Sequence, residues 1–504
     1  MSDPNFTGNG QCKNYVITKN TSMKRNILLI SILLTFFIGL QAQETTVYNA
    51  SKFGIRSDGI TMNTRSIQKA LDWISDNGGG TLRFWVGRYL TGSIHLRSNV
   101  NIDLQEGAIL VGSTNPYDYD KVAGCYALVI GEKISNLQIT GKGMIEGNGR
   151  ELANNFTAAV HAGIIKDALK YDRVSSRPRL LYLRECQRIK VEGITLKNAA
   201  DWVQTYDQCV NVTVNNIRVE STAFWNNDGI DIVDCNHFLL SNSYINASDD
   251  AICLKSHSRE HVCQNVEVRN CTARSSASGI KFGTFALGGF RNIRIINNKV
   301  YDTHRSAITI QSVDGGICEN ILVDSLHAVN TSNPIYVVVG ERRDRPSSMH
   351  DVTIRNLYCE VPADKADSGY PYEGPVEDNP RNPSPSGIVG LPGNPVTNIT
   401  LENIKIVYPG GGDPHLVCVD TNHLDLVPEM PKAYPEFSQH KELPAWGLYV
   451  RHAQNVTLRN ISFTAQKPDY RVAIVLDDVK GHTLENVQIT EPNGEGKQIV
   501  FERK

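Results

Sequence analysis

The sequence has no excess of either charge, and this absence limits its partners. Among 504 residues, Lys and Arg number 51 and Asp and Glu number 53. Proteins that bind nucleic acid or an anionic membrane surface normally carry a basic excess, so neither partner is expected. A single long apolar run occurs, near the N-terminus, and it is too short to predict a membrane span.

Metal-binding cysteine patterns are also missing. None of the 11 Cys residues forms a Cys-x-x-Cys pair, and no His cluster has the spacing of zinc ligands. We therefore predict no structural metal. Five cysteines instead share one point of a repeated pattern, two residues before a strand motif: Cys186, Cys209, Cys235, Cys263 and Cys318. This placement favours an interior row of small apolar side chains over the disulfides that are common in exported proteins.

The apolar run has the layout of an export signal. Residues 23–25 (Met-Lys-Arg) are followed by the apolar residues 27–40 and then by Gln41-Ala42. This order is typical of a secretory signal peptide. We predict a polar leader over 1–22, upstream of the true start, and a signal peptide over 23–42 with cleavage near Ala42. The mature protein is then exported, to the periplasm or the extracellular space.

A short phrase recurs along the rest of the chain: an Asn-like residue followed by apolar, variable and apolar residues. Its copies begin at 188, 211, 237, 265, 292 and 320, and more follow at 351, 398 and 455. The first six are spaced by about 23 to 28 residues, a period typical of solenoids. The alternating apolar residues predict short strands rather than helices. We therefore predict an all-β fold, a right-handed parallel β-helix.

The irregular parts of the chain are expected to cap and line this solenoid. We predict one catalytic β-helix domain over 43–504, with a capping segment over about 47–80. Within that segment, 63–77 has the apolar periodicity of an amphipathic helix. Two long stretches without periodicity, 362–395 and 408–445, are predicted to be loops that form cleft walls.

Three aspartates occupy matching points of two consecutive repeats. The segments Asp228-Gly-Ile-Asp-Ile and Asp250-Ala-Ile-Cys-Leu align, and Asp249 precedes the second. Adjacent parallel strands lie about 4.8 Å apart, so these carboxylates should meet at one sheet edge. Like charges this close keep one carboxyl protonated beside an ionised one, the pair that glycosidic hydrolysis requires. Asp is also common as a structural turn residue, and the pattern alone leaves that alternative open.

Several motifs together resemble glycoside hydrolase family 28, the polygalacturonase family. The segments NNDGIDI (226–232) and DDAICLKS (249–256) are similar to its two Asp motifs. ASGIKFGTFALGGFRNI (277–293) resembles its third motif, and FGIRSDG (53–59) with 78–113 resembles its entry segment. The likeness covers most of residues 47–340.

The resemblance implies an inverting hydrolase that needs no metal or organic cofactor. Carried over by motif, Asp249 is the general acid, while Asp228 and Asp250 activate the attacking water. Asn226 is expected to hold Asp228 or the substrate. Trp225, beside the first motif, is a candidate for stacking on a sugar ring.

Two departures from the family pattern bear on substrate recognition. Ala277-Ser278-Gly279 stands where the family usually has Gly-His-Gly, so Lys281 or His257 would tune the pKa of the acid instead. Thr309-Ile310-Gln311 stands where the family usually has Arg-Ile-Lys, which binds the galacturonate carboxylate. Basic residues from nearby turns are candidates to replace it: Arg305, Arg342, Arg343 and Arg345.

The sequence therefore predicts an exported, monomeric, polygalacturonase-like hydrolase of pectin-like acidic polysaccharide, acting from chain ends. Rhamnogalacturonan or another galactan stays open as the substrate. Two other classes also stay open: a polysaccharide lyase with Lys281 as its base, and a carbohydrate-binding β-helix without activity.

Overall fold

The repeat forms a coil of up to three short strands. The computed structural model describes residues 46–166, 177–343, 345–366, 369–370 and 381–504. Within them, strands of successive coils pair in parallel, and the only antiparallel pair of strands joins residues 120–122 to 125–127. Residues Val47–Lys504 form one compact unit. The predicted leader and signal peptide lie outside the described residues.

The strands are short in the early coils and merge into long bent strands in the later ones. They are β1 (Val47–Asn49), β2 (Gly80–Phe84), β3 (Gly87–Thr91), β4 (Ile94–His95), β5 (Val100–Leu104), β6 (Ala108–Gly112), β7 (Asp120–Val122), β8 (Cys125–Glu132), β9 (Ser135–Gly141), β10 (Met144–Glu146), β11 (Arg179–Arg184), β12 (Gln187–Glu192), β13 (Thr195–Lys197), β14 (Gln204–Asp207), β15 (Val210–Asn215), β16 (Arg218–Ser221), β17 (Ile230–Val233), β18 (Asn236–Ser241), β19 (Tyr244–Ala247), β20 (Ile252–Ser256), β21 (Cys263–Arg269), β22 (Thr272–Ser275), β23 (Ile280–Ala286), β24 (Gly289–Ser312), β25 (Ile317–Val339), β26 (Ser348–Glu360), β27 (Ser386–Val389), β28 (Val396–Gly410), β29 (Ala445–Lys467), β30 (Val472–Thr490) and β31 (Val500–Arg503).

Helices are few, as the sequence predicted. Two α-helices are present in the described part, α1 (Thr64–Asp76) and α2 (Gly149–His161), with short 3₁₀ helices at Ala50–Phe53, Pro116–Asp118, Leu424–Leu426 and Phe437–His440. No helix there is long and apolar enough to cross a membrane. The predicted amphipathic helix is α1, which buries Ile67, Ala70, Leu71 and Ile74. The sequence analysis did not predict α2.

Strand pairing divides the coils into three columns, which we call sheets 1, 2 and 3. Sheet 1 runs from β2 through β12 to β21, sheet 2 from β6 through β13 to β22, and sheet 3 from β8 through β14 to β23. The long strands β24 and β25 each contribute a segment to all three sheets. The fold is the right-handed parallel β-helix that the sequence predicted.

Asparagine explains where the coil turns. Asn265, Asn292 and Asn320 each adopt a left-handed backbone conformation, with φ of 54°, 54° and 55°. Asn tolerates this region better than most L-residues do. Their side chains also form a ladder, since Asn292 Nδ2 donates to Asn265 Oδ1 (3.1 Å) and Asn320 Nδ2 to Asn292 Oδ1 (2.7 Å).

The coil interior is apolar and contains the predicted row of cysteines. All five cysteines of the row are buried, and none of them forms a disulfide. The apolar residues that alternate along the strands of sheet 3 are buried too. In β17, Ile230 and Ile232 join the core while Asp231 lies on the outer face. This alternation places the polar residues of sheet 3 on its outer face.

One of the two predicted loops contains a whole strand, and the other does not. The segment 408–445 lies almost wholly between β28 and β29, as expected. The segment predicted as a loop over 362–395 contains β27, which pairs with β25 and β29 in sheet 3. That part of the prediction was wrong, because Pro and Gly on both sides of Ser386–Val389 hid a four-residue strand.

Candidate active site

The three predicted aspartates lie at the start of two adjacent strands of sheet 3. Asp228 precedes β17 and Asp249-Asp250 precede β20, and these strands pair with Ile230 opposite Ile252. A carboxylate oxygen of Asp228, one of Asp250 and the Cys253 sulfur all lie within 4.8 Å of one another. The structure thus brings Asp228 and Asp250 close enough to share one water molecule.

Asp249 is held from two sides. Its Oδ1 accepts a hydrogen bond from the Asp250 backbone N–H (2.9 Å), and its Oδ2 accepts one from Asn226 Nδ2 (3.4 Å). Asn226 in turn accepts from Arg177 Nη2 (2.8 Å). Asn226 therefore contacts Asp249, whereas the sequence analysis named Asp228 or the substrate as its partner.

Two lysines on the outer face of sheet 3 serve the other two aspartates. Lys255 Nζ lies 2.8 Å from Asp228 Oδ2 and also contacts Asp231. Lys281 Nζ lies 3.1 Å from Asp250 Oδ2. Asp231 and Lys281 share one outward column, with Cys253 between them.

The three carboxyl groups differ in their electrostatic surroundings. Burial, and then the negative charge of Asp250, raises the pKa of Asp249 above its ordinary value. Burial also acts on Asp250, but the positive charges of Lys281 and Arg305 outweigh it and lower the pKa of that carboxyl. The pair therefore combines a carboxyl that retains its proton with one that loses it readily, as general acid and base require.

Asp228 is a separate case, because one ammonium group serves two carboxylates. Burial raises the pKa of Asp228 well above its ordinary value, and Lys255 only partly opposes this. Burial likewise raises the pKa of Asp231, with Lys255 again opposing. A single positive charge cannot neutralise both groups, so keeping both carboxylates ionised in this buried position costs free energy.

A long loop contributes two residues that the sequence analysis did not single out. Tyr434 and Glu436 belong to the segment between β28 and β29, which we call the cleft loop (residues 411–444). Glu436 Oε1 accepts from Lys281 Nζ (2.8 Å) and from Arg305 Nη1 (3.0 Å). Lys281 Nζ also donates to the Tyr434 hydroxyl (3.1 Å). These residues lie more than 120 positions from Arg305 in sequence, and no periodicity connects them.

The remaining candidates occupy different positions. Arg305 lies in the cluster, but Arg342 pairs with Asp314 (3.0 Å) and does not contact the three aspartates. Arg343 also pairs with Asp314 (3.4 Å), and Arg345 donates to the carbonyl of Leu287. The side chain of Trp225 packs against the core and is partly buried.

Trp202, rather than Trp225, lies against the charged cluster. Lys255 Nζ is 4.0 Å and the Arg179 guanidinium carbon 4.2 Å from the centroid of its ring. His257 lies beside Trp202 and Phe285, and burial lowers its pKa to about 3. His257 is therefore neutral, and it does not form a hydrogen bond with Asp249. Neither observation supports the prediction that His257 adjusts the pKa of the general acid.

Two groups among the described residues have the donors for a metal ion. One combines Asp228, Asp250 and Cys253, but Lys255 and Lys281 already supply positive charge to its carboxylates. The other combines Cys418, Asp420 and His423 on the cleft loop, where His423 Nδ1 already lies 2.7 Å from Asp420. A metal ion would have to displace these partners at either place.

Comparison with known proteins identifies the family of the chain. The model of the family described as glycosyl hydrolases family 28 matches residues 82–359, a range that includes all three aspartates. The chain belongs to glycosyl hydrolases family 28. The resemblance to this family that the sequence motifs indicated is thereby confirmed.

Its relatives include proteins that are named as a galacturonosidase and as a polygalacturonase. An exo-poly-alpha-D-galacturonosidase of Dickeya chrysanthemi is 23% identical over 373 residues, which cover 62% of each chain. A probable polygalacturonase of Vitis vinifera is 26% identical over 382 residues, covering 70% of this family 28 chain and 73% of the relative. The match thus spans less than two thirds of the length of the Dickeya relative.

Solved structures support the β-helix. A hyperthermoactive exopolygalacturonase from Thermotoga maritima has a TM-score of 0.58 at 24% identity, covering 72% of this chain and 87% of its own. A family 28 exopolygalacturonase of Yersinia enterocolitica also has a TM-score of 0.58, at 18% identity. That match covers 89% of this chain and 78% of the Yersinia chain. At these identities the likeness establishes the fold.

Proposed function

We propose that this family 28 hydrolase is exported and cleaves glycosidic bonds of pectin-like acidic polysaccharide with inversion at the anomeric carbon. Asp249 protonates the leaving oxygen, and Asp250, with Asp228, activates the attacking water. The observation that carries the proposal is the opposite pKa shift of two adjacent carboxyls beside a third within reach of the same water. The names of the relatives supply the substrate class.

The mechanism follows from the charges around the pair. Asp249 enters the reaction protonated, because burial and Asp250 disfavour its ionised form. Its proton passes to the departing sugar oxygen while water attacks from the opposite face of the ring. Asp250 accepts the proton of that water, and Lys281 compensates the charge of Asp250 before the transfer. An inverting site needs about 6.5–9.5 Å between acid and base to seat the water.

Action from chain ends is part of the proposal. The cleft loop covers the outer face of sheet 3 on the coils that follow the aspartates. Phe437 packs against Val313, Tyr336 and Val338, and the Pro431 carbonyl accepts from the Glu341 N–H (2.7 Å). A cleft closed on one side favours binding of a chain end over the middle of a polymer.

A lyase is the main alternative, and the surroundings of Lys281 argue against it. Burial acts to lower the pKa of Lys281, but Asp250 and Glu436 outweigh it and raise the pKa well above its ordinary value. A lysine that retains its proton so firmly is a poor base for abstracting a proton from carbon.

The decisive experiment follows the products formed by the purified protein. Polygalacturonate, rhamnogalacturonan and a neutral galactan are offered, and proton NMR records the anomeric configuration of fresh product. We expect inverted product from a pectic polymer and no ultraviolet absorbance from a new double bond. Retained configuration contradicts the mechanism, and an absorbing product indicates a lyase.

A further inference from the structure

Four buried charges beside the proposed general acid balance one another. Lys281 Nζ bridges Asp250 Oδ2 (3.1 Å) and Glu436 Oε1 (2.8 Å), and Arg305 Nη1 reaches the same Glu436 oxygen (3.0 Å). Two positive groups thus face two negative groups. Each ion pair links sheet 3 to the cleft loop or to the aspartates. Because the two positive and two negative charges are equal in number, no basic charge of this group is left unmatched.

These charged side chains are buried, so any imbalance of charge among them would cost free energy. The Lys281 side chain is 0% exposed and that of Glu436 is 10% exposed. An additional carboxylate placed here would meet Asp250 and Glu436 in a poorly hydrated environment, where an unmatched charge is costly. It could pair with Lys281 or with Arg305 Nη1 only in competition with Glu436.

The next outward positions on sheet 3 carry no charge that could help. Thr309 is the register partner of Lys281, and Gln311 follows two residues later on β24. Both are buried, and Thr309 Oγ1 and Gln311 Oε1 have no hydrogen-bond partner in the described part of the chain. This part of the outer face therefore holds polar groups but no charge that could form an ion pair with a uronate.

Tyr434 supplies an open surface at the same place. Its hydroxyl is fixed by Lys281, whereas the residue as a whole is 51% exposed. An exposed aromatic ring that is anchored at its polar end provides a flat apolar surface, suited to the apolar face of a sugar ring.

We propose that Tyr434, Lys281, Arg305 and Glu436 form a sugar-binding subsite that takes an uncharged unit, neutral or esterified, in preference to a free uronate. Glu436 is the residue that sets this preference, because it occupies the two cations that a substrate carboxylate would need. The inference rests on the proposed function, since it concerns one unit of the same pectic chain.

The test compares trigalacturonic acid with its trimethyl ester, in which methylation removes the charge of all three carboxyl groups. Initial rates are measured for the unaltered enzyme, and calorimetry on the Asp249→Asn variant measures binding without turnover. We expect at least tenfold preference for the ester. Glu436→Gln keeps the size of the side chain and removes the negative charge that Lys281 and Arg305 share, so it should shift the preference at least tenfold toward the acid.

Glu429→Gln is the matched control. It removes the same charge from the same loop, but Glu429 pairs with Arg451 (2.6 Å). All three units of the ester are modified, so the preference of the unaltered enzyme could arise at any subsite. A shift in Glu436→Gln that is absent from Glu429→Gln assigns the preference to the subsite around Glu436. The control should keep the preference of the unaltered enzyme.

The possible outcomes separate this inference from the proposed function. Preference for the free acid by the unaltered enzyme overturns the inference and leaves pectin hydrolysis standing. Equal shifts in Glu436→Gln and Glu429→Gln overturn the role of Glu436. If neither ligand is bound nor cleaved, both the subsite and the pectin assignment fail. The comparison in the unaltered enzyme decides the matter even if Glu436→Gln does not fold.

Discussion

The turn ladders and the aspartate cluster use the same stacking of coils for opposite purposes. In the ladder at Asn265, Asn292 and Asn320, each amide donates to the previous coil and accepts from the next. Identical amides complement one another, so stacking stabilises them. Stacked carboxylates repel one another instead. The cluster at Asp228, Asp249 and Asp250 exists because Lys255 and Lys281 are inserted beside it, which is the arrangement expected of a site selected for chemistry.

The largest effect should come from removing a carboxylate of the cluster. Asp249→Asn abolishes the proton donor while keeping the shape, and we expect turnover to fall about 100- to 10,000-fold. Asp76→Asn, on the exposed end of α1, is the matched control and should keep its rate. Unfolding in urea, followed by fluorescence, checks that both variants fold. A comparable rate for Asp249→Asn and Asp76→Asn would mean that the cluster is structural, like the ladder.

A large loss of stability should follow from removing a cation of the cluster. Lys255→Met leaves Asp228 and Asp231 buried without their partner, and breaking a buried ion pair costs about 3–5 kcal/mol. Lys190→Met breaks the exposed pair of Lys190 with Glu192 (2.7 Å) and should cost about 1 kcal/mol or less. The free energies of unfolding in urea give both values. Equal losses would show that Lys255 does not stabilise the cluster.

The pH dependence of kcat/KM should have two limbs with different origins. Asp249 must be protonated, so activity falls as pH rises through its raised pKa. Asp250 must be ionised, so activity falls as pH decreases through its lowered pKa. Lys281→Met removes the main charge that lowers the pKa of Asp250, and the acid limb should move to higher pH. An acid limb that stays in place assigns it to another group.

The smallest effect should appear in the ladder. Asn292→Ala loses the amide contacts and places a less tolerant residue at φ 54°, whereas Asn292→Gly loses the contacts alone. The left-handed conformation costs an ordinary residue about 1–2 kcal/mol, so Ala should be less stable than Gly by about that amount. Urea unfolding of both variants measures the difference, and activity should be unchanged in each.

Sequence reasoning reached the repeating coils and the amphipathic helix α1, and missed α2, β27 and the contacts of the cleft loop. The coils were predictable because Asn and alternating apolar residues mark every turn and strand. Asp228 and Asp250 were predictable because they occupy one point of consecutive repeats. Lys255 stood within a recognised motif, yet its role depends on which residues of sheet 3 face outward together. Glu436 and Tyr434 gave no signal, since a loop without periodicity brings them to Lys281 from more than 150 residues away.

Whether the cysteines of the interior row can be oxidised depends on whether the coils around them have already stacked. Once the coils are stacked, burial raises the pKa of Cys209 and Cys235, and the reactive thiolate form is suppressed. Before stacking, the same sulfur atoms are open to oxidants and to exchange with one another. Completed folding is therefore expected to protect these thiols from crosslinking.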